Sequence, residues 1–368
     1  MKRILILANI DMGLYNFRKE LLQALLAQGY EVYISLPRGE RVKDMEQMGC
    51  VFLETPVDRR GMNPIADWKL LHQYRKILRD IKPDVVLTYT IKPNIYGGLA
   101  CRMAKIPYLS NITGLGSAIH NGGIVARLLV VLYRLSAKYA SCLFFQNRQN
   151  RDFFVDIKII AENSVLLPGS GVNLNEYAYA PYPPEETPIS FLFIGRLMQD
   201  KGVGELLEAA KNIRKEYPEI TFSLVGFCEE GYQEIFSELN KDNVVNALGQ
   251  QKNVKEFIKT HSATVLPSYH EGTANVLLES AASGRPLIAS RIPGCMEIID
   301  DGATGYLCEA RDAGSLEMAL RKFIKLSYEE KKDMGVLGRL KMEREYDRKI
   351  IIEHYLREIR KVKQNEFI

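Results

Sequence analysis

Glu271 and Glu279 stand eight residues apart, with Gly272-Thr273-Ala274-Asn275 between them and Val276-Leu277-Leu278 leading into the second acid. Glu271 follows the turn residues Pro267-Ser268, whereas Glu279 falls inside an apolar helical pattern. Eight helical residues rise about 12 Å and leave two side chains about 80° apart. Two such acids cannot grip one atom, but they can hold two ends of an extended ligand. A glycosidase pair needs carboxyls about 5–9.5 Å apart across one bond, which argues against a hydrolase built on these two alone. The helix start between them offers free N–H groups and a partial positive charge suited to phosphate. Sugar at Glu271, phosphate at the helix start and ribose at Glu279 together describe a nucleotide sugar. A surface loop acid followed by an ordinary exposed helix glutamate fits the spacing equally well.

The acids need elements to place them. Residues 263–266 read as a short strand before the acidic loop, and residues 287–290 as a buried strand after the helix. This unit puts the acids at the carboxyl end of a parallel sheet, where ligands bind in open α/β folds. The first half has the same alternation. Strands are expected at 4–8, 31–36, 51–54, 84–89, 108–112 and 142–146, and helices at 16–28, 68–80, 94–104 and 124–139. Asn16 reads as the cap of the first helix and Gly29 as its stop. Turn-rich sequence at 168–171 and 181–186 marks a linker. The pattern restarts with a strand at 189–194, a loop at 195–204, a helix at 205–217 and a strand at 220–225. The expected architecture is α/β, two Rossmann-like domains with a central cleft. The boundaries are 1–170, a linker at 171–188, 189–345, and a C-terminal helix from 346 to 368 whose apolar stripe packs back on the first domain.

Bulk properties narrow the class. The chain has 368 residues, 46% hydrophobic and 26% charged, as expected of a globular protein of two domains. The opening apolar run is too short for a secretory signal. Six scattered cysteines lack metal-type spacing and suit a reducing cytosol. Residues 1–175 carry 23 Lys/Arg against 14 Asp/Glu, so the first half is the basic one and suits an anionic partner such as an anionic lipid, a lipid diphosphate or nucleic acid. The first loop, residues 9–16, has one glycine, and the second strand ends in Ser35-Leu36-Pro37 with no acid placed for a ribose, so the dinucleotide fingerprint is absent.

Several spaced motifs lie in one order along the chain: Gly195-Arg196-Leu197 with Lys201-Gly202, Pro267–Gly272, Glu279, Pro293-Gly294, Glu297 and Asp301–Tyr306. With them the whole chain resembles the GT-B-fold, retaining glycosyltransferases of family 4. Leu14–Arg18 and Lys92-Pro93-Asn94 are similar to the branch that extends polyprenyl-diphosphate-linked sugars in bacterial surface glycan synthesis. Within it the chain resembles hexosaminyltransferases acting on an undecaprenyl-diphosphate-linked first sugar.

The resemblance implies roles. Arg196 and Lys201 would stabilise the leaving diphosphate. Glu271 would face the donor sugar at the reacting centre and Glu279 would hold the ribose. Gly272 and Thr273 would offer backbone N–H groups to the phosphates. Gly294, with Cys295 and Met296, would line the sugar pocket, and Val254 would lie near the base. In the first half, Gly13 would let the first loop approach the donor closely. Asn16, Arg18, Arg60, Lys92, Asn94, Thr113 and His120 are acceptor-site candidates, each alone more readily a solvated polar residue. Family members often carry a His where this chain has Thr113, so a histidine contact to the donor sugar is not carried over. His270 reads as a loop side chain.

The reaction expected is transfer of a HexNAc or hexose from a UDP-sugar to a lipid-linked saccharide with retention, by front-face attack. No catalytic metal or other cofactor is expected, because Arg196, Lys201 and a helix start can carry the diphosphate charge. The chain is expected in the cytoplasm, peripheral on the inner membrane and touching an anionic membrane surface through its first domain. Residues 123–145 are strongly apolar but interrupted by Arg127, Arg134 and Lys138, short of a membrane span. A sugar-nucleotide epimerase on the same fold is the alternative. No nucleic-acid partner is expected, since no recognition motif supports one.

Overall fold

The computed structural model describes residues 2–58, 63–114, 123–159, 163–228 and 244–364. It divides into two compact units, Met1–Ser170 with Lys349–Ile368, and Gly171–Arg348.

The first unit is a seven-stranded sheet in the order β3-β2-β1-β4-β5-β6-β7. Its strands are β1 (Lys2–Leu7), β2 (Tyr30–Leu36), β3 (Val51–Glu54), β4 (Val85–Tyr89), β5 (Tyr108–Ile112), β6 (Cys142–Phe145) and β7 (Ser164–Leu166). Every pairing is parallel. The central strands are apolar on both faces, as a doubly covered parallel sheet requires. Ile4 and Ile6 face one core with Leu21, Leu22 and Leu25 of α1 (Asp11–Ala27). Leu5 and Leu7 face the other, with Tyr74 and Leu78 of α3 (Pro64–Ile81) and Tyr133 of α5 (Gly123–Ala137). The short α2 (Val42–Gln47), α4 (Gly98–Ala104) and α6 (Arg148–Asp156) complete the layer before the second unit. The last helix, α12 (Arg348–Gln364), buries Ile351, Tyr355, Leu356 and Ile359 in the first core, as its stripe predicts. Each such side chain contributes about 1.5–3 kcal/mol by burial.

Two helix starts differ from expectation. α1 begins at Asp11, not Asn16. Extended Ile10 holds the N-cap position, and its carbonyl accepts from the Leu14 N–H. The cap position is apolar, so no side chain bonds the first amides of the helix. α3 begins at Pro64 because Asn63 accepts from the Ile65 and Ala66 N–H groups. Proline suits the first helical position, where its missing N–H costs nothing.

The second unit is a six-stranded parallel sheet in the order β10-β9-β8-β11-β12-β13. The strands are β8 (Ser190–Ile194), β9 (Thr221–Val225), β10 (Asn246–Gly249), β11 (Ala263–Leu266), β12 (Leu287–Ser290) and β13 (Gly305–Cys308). Its helices are α7 (Val203–Glu216), α8 (Val254–Thr260), α9 (Asn275–Ala282), α10 (Ala313–Ile324) and α11 (Tyr328–Lys341). The stretch read as a linker belongs to this unit. Val172 bridges Asp347, and Arg348 donates to the Val172 and Gly171 carbonyls. Arg285, fully buried, donates to the carbonyls of Ala180, Pro181, Ile258 and Lys259. Its guanidinium satisfies backbone oxygens that would otherwise be orphaned, and burial pushes its pKa down to about 10.

Candidate active site

Chain order reverses between β8 and β11, which are neighbours in the second sheet. This is the topological switch point, where open α/β sheets bind ligands. Both candidate loops leave from here: residues 195–202 after β8 and 267–274 after β11.

Glycines let the loops meet. Gly202 has φ +68°, and a Cβ there would sit 2.0 Å from the Pro267 carbonyl oxygen. Gly226 would place a Cβ 1.7 Å from the Gly195 oxygen. No side chain fits either distance. The Tyr269 N–H donates to the Asp200 carbonyl at 2.9 Å, and the Tyr269 hydroxyl to Glu205 Oε1 at 2.5 Å. The two loops are therefore sewn together beside the site.

The result is a charge pair. Lys201 Nζ lies 2.5 Å from Glu271 Oε1, with side chains 19% and 13% exposed. Ser268, fully buried, donates to the same oxygen at 2.8 Å. Both bonds arrive at Oε1, leaving Oε2 without a partner among the described residues. A pair this screened from water holds its geometry better than a surface ion pair. Arg196 is exposed on the β8 loop, two residues beyond the strand end.

The acidic loop is braced from behind. Gly294 has φ +87°, and a Cβ would lie 2.8 Å from both the Glu271 and Gly272 carbonyl oxygens. Its carbonyl accepts from the Ala274 N–H at 3.0 Å, and its N–H donates to Glu297 Oε2 at 2.7 Å. Gly294 thus packs against the Glu271 loop. Cys295 beside it is fully buried, with its thiol pushed well up by burial and then by Glu271, so it is no nucleophile. α9 starts at Asn275 with no side chain capping it, so its first amides face the Gly272–Ala274 turn.

Glu279 lies one turn into α9 and is half-buried rather than exposed. Burial pushes its carboxyl up to about 7, against the opposing pull of the Tyr177 hydroxyl and Arg348. Val254 opens α8 and packs half-buried beside Ile258, Leu192 and Val225. Among the described residues, no group of three His, Cys, Asp or Glu is placed to hold a metal ion.

The first unit treats its candidates differently. Gly13 lies within the first turn of α1, not in the preceding loop, and a Cβ there would meet only Ile10 Cγ2 at 3.1 Å. Asn16 is exposed in the middle of α1 rather than capping it. Arg18 is buried, donates to the Phe17 carbonyl, and lies 5.2 and 5.7 Å from the Tyr89 and Tyr355 rings. Lys92 pairs with Asp67 at 2.7 Å, and Tyr96 donates to the same carboxylate. Asn94 is buried between Thr88 and the Asn111 carbonyl. Thr113 is half-buried just past β5. Arg60 and His120 lie outside the described residues.

Two partners escaped the sequence reading. Ser268 was in the quoted motif, and its i,i+3 spacing to Glu271 was the available signal. Tyr177 lies about a hundred residues from Glu279, and no local pattern connects them.

Two Rossmann-like units with a cation–carboxylate pair and an uncapped helix start at the switch point of the second define the class, a GT-B glycosyltransferase. Residues 3–147 match the family model "Glycosyl transferase 4-like" and residues 179–340 match "Glycosyl transferases group 1", and the chain belongs to the glycosyltransferases these describe. It is 27% identical to the N,N'-diacetylbacillosaminyl-diphospho-undecaprenol alpha-1,3-N-acetylgalactosaminyltransferase of Campylobacter jejuni, covering 96% of this chain and 97% of that one. It is 25% identical to the UDP-Gal:alpha-D-GlcNAc-diphosphoundecaprenol alpha-1,3-galactosyltransferase of Escherichia coli, over 71% of each. In fold it resembles an Anabaena protein solved with UDP and glucose, at TM-score 0.79, 17% identity and 97% and 99% coverage. The sucrose-phosphate synthase of Thermosynechococcus elongatus superposes at TM-score 0.81, 17% identity and 99% and 100% coverage. The epimerase alternative draws no support from these comparisons.

Proposed function

We propose that the protein transfers a HexNAc or hexose from a UDP-sugar, with retention, to a polyprenyl-diphosphate-linked saccharide in bacterial surface glycan synthesis. The observation that carries this reading is the Lys201–Glu271–Ser268 cluster beside the uncapped start of α9. Relatives named for undecaprenyl-diphosphate-linked substrates support the acceptor class.

In this reading the donor diphosphate lies across the α9 start, with Gly272 and Thr273 presenting backbone N–H groups. Lys201 and Arg196 face the oxygens where charge grows as the sugar–phosphate bond breaks. The acceptor hydroxyl attacks the anomeric carbon from the side the diphosphate leaves. Its oxygen forms the new glycosidic bond, and its proton passes to the departing diphosphate. Glu271, with Oε1 held by Lys201 and Ser268, presents Oε2 to the sugar. Glu279 grips the ribose hydroxyls. Fixed cations and helix amides supply the electrostatics, so the reaction runs without a catalytic metal. The lipid acceptor places the enzyme on the cytoplasmic face of the inner membrane.

The test is UDP release from a panel of UDP-sugars, with and without an undecaprenyl-diphosphate-linked monosaccharide, in EDTA. Release that depends on the acceptor and survives EDTA supports the reading. Acceptor-independent isomerisation of the donor would sink it.

A further inference from the structure

α5 of the first unit is apolar on both sides. Ala126, Tyr133 and Ala137 are buried against the unit's own core. On the outer face Ile124 is 85% exposed, and Leu128, Val131 and Leu135 are each close to half exposed. These four follow the i, i+4, i+7, i+11 spacing of one stripe. Tyr139, half exposed just beyond the helix end, extends it, and the Arg102 guanidinium stacks 3.8 Å from the Tyr139 ring. Arg102 also donates to the Leu135 carbonyl, joining α4 to the same face. A helix with a second apolar face that its own core does not cover leaves that stripe in water.

The charge on α4, α5 and the turn after α5 is basic, and exposed acids enter only at Asp152 and Asp156 of α6. Residues 85–151 contain eight Lys or Arg and no Asp or Glu. Arg127 and Arg134 on α5 and Lys138 in the turn just after it flank the stripe, all exposed. Beyond Met103 of α4 opens a groove lined by Arg75, Lys76, Arg79 and Lys82, with no acid in its walls. Among the described residues no helix is long and apolar enough to cross a membrane.

We infer that α5 and its basic flank form a docking face for an anionic phospholipid surface, with the helix lying in the interface plane. Ile124, Leu128, Val131 and Leu135 would enter the acyl boundary, while Arg127 and Lys138 meet lipid phosphates. A second copy of the chain is the weaker occupant. A two-fold contact on this face would set the Arg127 and Lys138 flank against itself. The inference deepens the lipid-linked acceptor reading, but its test uses no substrate, so the two can fail separately.

The full chain is sedimented with phosphatidylcholine vesicles, alone or with one-third phosphatidylglycerol, at low and high salt. Binding is expected to the anionic vesicles and to weaken as salt rises. The pair L128E with V131E is expected to cut it tenfold or more with melting temperature retained. Each of R127E and K138E is expected to weaken it severalfold. Met318→Glu, an exposed apolar residue of the second unit, serves as the control and should change nothing. Equal binding to neutral and anionic vesicles, or binding that survives L128E with V131E, overturns the proposal. So does a lipid-free dimer that those two substitutions dissolve, which would assign the stripe to a second copy.

Discussion

Both units are parallel sheets, and in both the chain order reverses between adjacent strands, at β1/β4 in the first and β8/β11 in the second. The polar residues beyond those strand ends are used in opposite ways. In the first unit Asn94 is bonded to Thr88 and the Asn111 carbonyl and Lys92 is paired with Asp67, so their capacity is spent holding loops and helices together, while Arg18 is buried against Tyr89 and Tyr355. In the second, Lys201, Ser268 and Glu271 converge at the rim on a single carboxylate oxygen. Lys201 is paired as closely as Lys92, so the difference lies in the acids: both oxygens of Asp67 are taken, by Lys92 and Tyr96, whereas both bonds to Glu271 reach Oε1 beside an uncapped helix start.

The sharpest way to break this comparison is Lys201→Ala. Transfer turnover is expected to fall about 10²–10³-fold, the usual cost of one preorganised charge stabiliser, and the melting temperature to drop because Glu271 loses its screened partner. Normal UDP release from that variant would remove the second unit's claim to the chemistry. Gly294→Ala comes next. Its Cβ would enter the Glu271 and Gly272 carbonyls, so about 1–3 kcal/mol of stability should go, along with the thermal shift caused by UDP. Arg18→Ala tests the first unit. It should cost about 2 kcal/mol in denaturant unfolding by emptying a core site between two tyrosines, with both substrate KM values within twofold. A tenfold rise in acceptor KM without destabilisation would show that Arg18 serves the ligand after all.

Glu279 sharpens the comparison through pH. If the ribose is held by the carboxylate, UDP affinity by calorimetry should rise severalfold from pH 6 to pH 8, and Glu279→Gln should flatten the profile. Stability without ligand runs the other way. The folded protein keeps this proton up to about 7, above the ordinary 4.5. The group's contribution is therefore lost as pH climbs through that interval. The smallest effect is expected from Asn16→Ala, within about 0.5 kcal/mol at an exposed helix position. A large acceptor KM change there would revive it as a contact.

Strand content was legible where parallel strands buried on both faces write short apolar runs; 287–290 matches β12 at both ends. Lys201 and Glu271 were legible as separate motifs. Their salt bridge was not, because it rests on Gly202 meeting Pro267 across 65 residues of chain. The start of α1 was missed because Ile10 caps without a polar side chain. Lys92 looked available because its partner, Asp67, lies 25 residues earlier on another helix. Local patterns report which residues can do chemistry, and only tertiary packing reports which are already occupied.

The bond between Val172 and Arg348 has a modular consequence. The second unit opens at Gly171 and closes at Arg348, and its first and last residues are clasped to each other. A segment whose ends meet is a cassette. It can be cut out at two neighbouring peptide bonds without tearing a strand from either sheet. Expressed alone, residues 171–348 should fold and shift their melting point with UDP, so donor recognition could be inherited or exchanged between chains as one piece.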